Sequence, residues 1–534
     1  MLILLKKYHI IIIEKLKKGI LKKIKVKIVN SENSFINAFD NAYNMKKTEN
    51  GGDAYKSTNS AVYDMFAFGG AYRNRSFQDC ILLFINALEE DEELAMKCLF
   101  YLRDCIEGQG ERRFFRICFK WLCNIHPEIA KRNMKAIAAQ GFGRFDDIIY
   151  SAIGTNCEDD MIAIIREQLK EDMDTITPSL LGKWMPSENA SRKITKETAN
   201  KLRKKLQLSH KSYRKMLSYL REKINIVERL ISANKWEDID FSKLPSKAGL
   251  KYKNAFLRRE EIAQKYQDFI KLDKTTVNAK TLYPYDVVKE VTKKLREWGS
   301  RANISESERA AIEKYWNSLP DYLNGKPCKI MCVCDTSGSM TWSSNSIAPI
   351  DVAISLSMYC AERIGGPYKN HYISFSSKPT LIKIEGIDFY DKVERIYRTN
   401  LCQDTNLEEV FNLIKAMAID PVVKIAPEDL PETLIIISDM EINEATPYYQ
   451  KWTVDNANTM MEKIRLDWEK EGLKLPKLVY WNVEARNNTI LDAGSNASFV
   501  SGCSPVILEN ILSGKTGHEL MLQKLNSDRY KDIR

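Results

Sequence analysis

Through most of residues 32–320 the apolar positions recur every three to four residues, the spacing of one buried helix face. The stretch "SFQDCILLFINALEEDEELAMKCLFYLRDC" predicts two such helices with an acidic break, and "IEGQGERRFFRICFKWLCNIHPEIAKRNMKAIAAQGFGRFDDIIYSAI" predicts two or three more. Further on, Tyr213, Met216, Leu217, Leu220, Ile224, Val227 and Ile231 share one helical stripe, while Arg214, Lys215, Arg221 and Lys223 fall largely off it. Short helices of this kind, stacked one on the next, predict an α-solenoid of HEAT-like character, although no strict repeat period is visible.

After "NISESERAAIEKYWNSLPDYLNGKP" the period changes, which sets a domain boundary near residues 315–327. "CKIMCVCD", "NHYISFSS", "PETLIIISDM" and "LPKLVYWNV" are short apolar runs separated by helix-length segments. That alternation predicts a doubly wound α/β sheet over 321–534, with its ligand site beyond the carboxyl ends of the strands. The expected fold is therefore α plus α/β, in two domains. Residues 1–31 precede both as a basic arm; they lack the long apolar run and small-residue cleavage site of a secretory signal. An amphipathic helix lying on a membrane is the alternative for this arm.

Charge sharpens the picture. The chain of 534 residues carries a formal +10, unevenly distributed. Residues 181–270 hold 22 Lys/Arg against 10 Asp/Glu, and the first 30 residues hold nine lysines and one glutamate. A basic middle in an otherwise acidic chain predicts an anionic partner. No run reaches the roughly 18 apolar residues of a membrane span. The 12 cysteines show no C-x-x-C pair, so they are expected to pack in the core of a cytoplasmic protein kept reduced.

One short motif carries chemistry. In "CKIMCVCDTSGSM" a predicted strand delivers Asp335, and Ser337 and Ser339 follow at alternate positions. A phosphatase of the haloacid dehalogenase type would need a second aspartate where Ser337 stands, and a nucleophile elbow would need G-x-S-x-G. A hard divalent cation needs oxygen ligands, and two hydroxyls backed by a carboxylate supply them. Thr405 in "LCQDTNLEEVF" and Asp439 at the end of "LIIISDMEINEA" are the later hydroxyl and carboxylate that such a site requires.

The set Asp335, Ser337, Ser339, Thr405 and Asp439 resembles the metal-ion-dependent adhesion site of von Willebrand factor A domains. The resemblance implies Mg²⁺ or Mn²⁺ bound by the two serines and the threonine, aspartates acting mostly through water, and an acidic partner completing the shell. Residues 35–515 also look like a member of the domain-of-unknown-function 2828 family, on "LRDCIEGQGERRFF", "GRFDDII", "KWMPSENASRK", "LYPYDVVKEV", "CDTSGSM", "SDMEINEA", "VYWNVEAR" and "VSGCSP". The layout is similar to the Ro autoantigen family, in which a TROVE module of helices joins a von Willebrand A domain and binds small noncoding and single-stranded RNA. That similarity covers the layout and no matched RNA-contacting residue.

Two functions follow as expectations. The first is a non-enzymatic RNA-binding protein. Its candidate contacts are Lys183, Arg192, Lys193, Arg214, Lys215, Arg221, Lys251, Lys253, Arg258 and Arg259, interleaved with Trp184, Tyr213, Tyr219, Trp236 and Tyr252. The second is a scaffold that captures an acidic protein through the metal site without binding RNA. Catalysis is the weakest class: Gly108 and Gly110 lack the Lys-Ser/Thr of a phosphate loop, His371 is expected to be structural, and Asp146 and Asp147 fit a helix start.

Overall fold

The computed structural model describes residues 44–272, 277, 279, 281–298, 304–341, 347–399, 405–422, 425–442, 460–491, 497–511 and 515–534. The basic arm, residues 1–31, lies outside them. The helical region opens with α1 (Ala61–Phe68), α2 (Phe77–Glu90) and α3 (Glu92–Arg103). Ser76 and Asp79 form a reciprocal cap that starts α2, and Asp91 accepts from the Leu94 amide to start α3. The "EGQG" segment is the turn into α4 (Arg112–Ile125), as its two glycines suggest. Gly110 has φ +65°, and a Cβ there would lie 2.0 Å from the Tyr283 hydroxyl.

Helix α4 buries Phe114, Phe115, Cys118, Phe119, Leu122 and Cys123 on one side, at helical spacing. Beyond it come α5 (Phe145–Ala152), α6 (Leu181–Trp184), α7 (His210–Lys223) and α8 (Ser246–Arg258). The region closes with α9 (Pro284–Trp298) and α10 (Glu306–Asn317). Helices separated by one or two others along the chain pack in pairs, α4 on α5, α6 on α7 and α8 on α10.

Among the strands, β1 (Asp53–Tyr55) belongs to the helical end of the chain, and β2 (Ile330–Asp335) begins the α/β region. It is followed by β3 (His371–Phe375), β4 (Leu381–Lys383), β5 (Thr433–Ser438), β6 (Lys477–Asn482), β7 (Ile490–Leu491) and β8 (Ala497–Ser501). Six of them form a sheet in the order β4-β3-β2-β5-β6-β8. All neighbours are parallel except β4, which runs antiparallel on the edge. The chain leaves β2 toward β3 and β4, then returns to build β5, β6 and β8 on the other side. The strand order therefore reverses between β2 and β5, where a doubly wound sheet opens its crevice.

Every residue of β2 is buried, as a strand covered on both faces must be. Cys332 and Cys334 face the core shared with α11 (Pro349–Arg363) and the helical region, while Met331 and Val333 face the second core, under α12 (Leu407–Ile419) and α13 (Met460–Lys470).

Residues 47–534 form one unit, and both ends of the chain cross into the other region. At the start, β1 pairs antiparallel with β7, Tyr63 accepts through its hydroxyl from the Phe499 amide, and the Gly70 amide donates to Ser501 Oγ at 3.0 Å. A Cβ at Gly70 would lie 2.7 Å from the Ser501 carbonyl oxygen, so this approach requires glycine. At the end, Arg529 binds Asp104 at 2.7 Å and Tyr530 stacks on Phe142. A third seam joins α9 to α11, where Thr292 and Arg296 both donate to the buried Asp351. Among the described residues no helix is long and apolar enough to cross a membrane.

Candidate functional site

The apolar β2 run carries Asp335 to the crevice, where its side chain is fully buried. Register sets Asp335 beside Ser438 at the end of β5, and the Ser438 hydroxyl donates to Asp335 Oδ2 at 2.5 Å. The Ser337 amide donates to Asp335 Oδ1 at 2.9 Å, which folds the loop back so that Ser337 Oγ and Ser339 Oγ lie 3.0 Å apart. Ser339 stays half-exposed, so this pair of hydroxyls is open on one side.

Asp439 follows β5 directly and is 2% exposed. Its Oδ1 accepts from the Glu441 amide at 3.2 Å and its Oδ2 from Arg486 Nη2 at 2.5 Å. The next residue, Met440, has φ +66°, a conformation costly for a side chain of this kind. Thr405, the residue before the N-cap of α12, is 3% exposed and donates to the Glu441 carbonyl at 3.5 Å. The structure thus brings Asp335, Ser337, Ser339 and Asp439 to the ends of the neighbouring strands β2 and β5, and sets Thr405 beside Glu441, two residues past Asp439.

Burial pushes the Asp335 carboxyl up to about 7, and the Asp439 charge adds to it against the hydrogen bonds from Ser438 and Ser337. Two buried carboxylates in one crevice repel, and Arg486 offsets only Asp439 directly. Among the described residues no three His, Cys, Asp or Glu side chains converge on one point. Hydroxyl oxygens would therefore have to supply much of any cation's shell.

Sequence reasoning missed Arg486 and Glu441. Glu441 is buried and accepts from the Glu49 amide at 2.7 Å and from Thr489 at 3.2 Å, while Arg486 also lies 3.4 Å from the Glu49 carboxylate. Both residues sit in "SDMEINEA" and "VEARNN", where no spacing rule singles them out.

The basic candidates divide. Lys183, Trp184, Arg214 and Arg221 line one cleft of about 640 Å³ beside α6 and α7, with Leu217 and Ile226 as apolar wall and Glu188, Glu228 and Arg229 also on its lining. Lys183 lies over the Trp184 ring at 5.5 Å, and Trp184 is half-buried. Arg192 and Lys193 are exposed at the start of another helix, and Lys215 is exposed on α7. Lys251, Arg258 and Arg259 are exposed around α8, with Lys251 against Tyr252 and Arg259 over Trp236 at 4.8 Å.

Two expected contacts need correction. Lys253 is 2% exposed, ion-paired with Glu290 and lying 3.8 Å from Glu308, so it is a core cation with no face toward a phosphate. Arg221 spends its guanidinium on the Gly182 carbonyl, the Ser187 hydroxyl and the Met185 carbonyl at 2.9–3.0 Å, so it shapes the cleft wall instead of offering free donors. Among the aromatics, Tyr213 is fully buried and Trp236 is 7% exposed; Trp184 and Tyr252 are half-buried and Tyr219 exposed, each with a cation over its ring.

Residues 48–141 and 169–326 match the family described as Domain of unknown function (DUF2828), and residues 329–532 match Domain of unknown function (DUF7788). An uncharacterized protein of Acanthamoeba polyphaga mimivirus is 28% identical over 516 residues, covering 88% of this chain and 85% of that protein. The crystal structure of the Deinococcus radiodurans RO (RSR) protein aligns with 87% of this chain and 92% of its own, at 11% identity and a TM-score of 0.38. Likeness at that level carries neither fold nor function across. The family matches meet at the boundary between the two regions: a DUF2828-like helical region is joined to a DUF7788-like α/β region.

Proposed function

We propose that this chain is a non-enzymatic RNA-binding protein, with RNA held by a HEAT-like, TROVE-like helical region. The observation that carries this reading is the cleft beside Trp184. It combines cations at Lys183 and Arg214 with an aromatic face and an apolar wall, the pairing that single-stranded RNA uses for phosphates and bases. The exposed Arg192, Lys193, Lys215, Lys251, Arg258 and Arg259 extend positive charge over the same region. Fluorescence anisotropy with a labelled single-stranded RNA tests it. Affinity should fall steeply with salt, and a flat response would remove the reading.

The α/β region is read as a von Willebrand factor A type domain whose crevice takes Mg²⁺ or Mn²⁺. The donor set fits a hard cation: the Ser337 and Ser339 hydroxyls lie side by side, Thr405 is at hand, and the buried Asp335 and Asp439 supply carboxylate oxygens; of the two, only Asp439 is paired with Arg486. A bound cation would supply an electrophilic centre for the carboxylate of an acidic protein partner. This chain's residues hold and orient; none is assigned a proton-transfer role.

The second reading, a metal-dependent scaffold without RNA, rests on the same crevice. Chelation separates the two: partner capture should be lost in EDTA and return with Mg²⁺, whereas RNA binding should survive.

A further inference from the structure

Two segments singled out by their motifs, "GQGERRFFR" and "GRFDD", meet in the structure, and neither Asp146 nor Asp147 there is free for chemistry. Asp147 accepts from Arg103 at 2.6 Å and from Arg116 at 2.6 Å. Asp146 pairs with Arg116 at 2.7 Å and with Arg144 at 2.8 Å. Arg144 in turn stacks on the Trp184 ring, 3.7 Å from its centroid, so this ladder of charge ends at the wall of the cleft. Three guanidinia, Arg103, Arg116 and Arg144, thus hold two carboxylates, and a fourth, Arg112, feels the charge of both without contacting them.

Arg112 is the unmatched one. It lies one turn ahead of Arg116 on α4, is exposed, and makes no hydrogen bond or ion pair with any described residue. Partial burial and then the neighbouring Arg144 and Arg116 charges push it down, the mark of crowded like charge. It also stands in the first turn of α4, a turn with no acidic residue, where the helix dipole disfavours a cation. The Asp146 and Asp147 charges offset this crowding only in part.

We propose that Arg112 and Arg144, with Lys183, bind backbone phosphates of single-stranded RNA at the rim of the Trp184 cleft. This rests on the RNA-binding reading and gives it a location. Arg144 is held rigid by Asp146 and Trp184, so its remaining N–H groups are presented with little entropy left to lose. The indole and the apolar wall suit a base next to the bound phosphate, which a surface for acidic peptides would not require.

The test is anisotropy of a labelled 20-nucleotide single-stranded RNA on the full chain, across a KCl series, with thermal melts of each variant. Arg112→Ala is expected to weaken binding about 10-fold and to reduce the slope of log K against log [KCl] by about 0.7, the value for one phosphate contact on a single strand. Its melting temperature should stay the same or rise, since crowding is relieved. Lys183→Ala should weaken binding similarly.

Wild-type protein that binds no RNA would remove the RNA-binding reading and this location together. Wild-type binding with Arg112→Ala and Lys183→Ala both unchanged would overturn the location alone. Displacement of the RNA by polyglutamate as readily as by unlabelled RNA of equal charge would assign the surface to acidic proteins and also overturn the proposal.

Discussion

Replacing Asp147 by asparagine tests whether the Arg103–Asp147–Arg116 ladder holds the helical region together. The carboxylate has no exposed surface. It accepts from Arg103 Nε and Nη2 at 2.9 and 2.6 Å, from Arg116 Nε at 2.6 Å and from the Arg144 amide at 2.9 Å. Asp147→Asn keeps one acceptor, turns the other into a donor facing a guanidinium, and leaves Arg103, itself 3% exposed, without its counter-charge. Breaking a buried pair in this way costs about 3–5 kcal/mol. Unfolding entropy is about 2.1 cal/mol/K per residue, so for the roughly 490 residues of this unit each kcal/mol lowers the midpoint by about 1 °C. Calorimetry should therefore show a fall of about 3–5 °C.

The pH dependence follows from the same residue. Burial alone would raise the Asp147 carboxyl, but the Arg103 and Arg116 charges outweigh it and hold it below the ordinary aspartate value. A depressed native value means stability that is present above the unfolded-state value of about 3.9 and is lost as pH falls through the native one. Wild-type protein should thus lose more stability on acidification below about pH 4 than Asp147→Asn does. An Asp147→Asn midpoint within about 1 °C of wild type, with an unchanged acid limb, would refute the reasoning.

Other perturbations separate structural from binding residues. Lys253→Met strips the buried cation from Glu290 and Glu308 and should destabilise by about 3 kcal/mol in urea unfolding, with RNA affinity of the folded protein unchanged within about two-fold. By contrast, the exposed pair Lys251→Glu and Arg258→Glu should leave the melt intact and weaken RNA binding. Gly110→Ala places a Cβ against Tyr283 at a positive φ and should lower the melting midpoint, because both the turn and the contact with α9 must shift. Ser337→Ala with Ser339→Ala should abolish Mn²⁺ binding measured by calorimetry while preserving the fold and the RNA affinity.

The sheet was the most legible part of the sequence. Runs such as "CKIMCVCD" and "PETLIIISDM" are apolar on both faces, and only a doubly covered parallel strand needs that pattern. The metal-site candidates were legible because each ends a strand or starts a helix: Asp335 and Asp439 stand at strand ends, and Thr405 just ahead of a helix. The RNA candidates were less so. Lys253 reads as a surface lysine until Glu290 and Glu308 arrive from helices more than 35 residues away. Arg221 looked free because two of its three partners are backbone carbonyls, which no side-chain pattern announces. Arg112 and Arg144 escaped notice because their segments read as a turn and a helix start, and the stacking of Arg144 on Trp184 is tertiary. The crossing of both chain ends, through Gly70 on Ser501 and Arg529 on Asp104, is likewise a contact of high sequence separation with no local signal.

A salt titration of single-stranded RNA binding by the full chain, run with and without EDTA, bears most directly on what this protein does. If the helical region binds RNA through Lys183, Arg112, Arg144 and Arg214, log K should fall linearly with log [KCl] at a slope of about −3, near −0.7 for each of four phosphates, and chelation should leave it unchanged. Binding that is absent, independent of salt, or abolished by EDTA would contradict the RNA-binding account, and loss in EDTA alone would move the function to the metal crevice at Asp335.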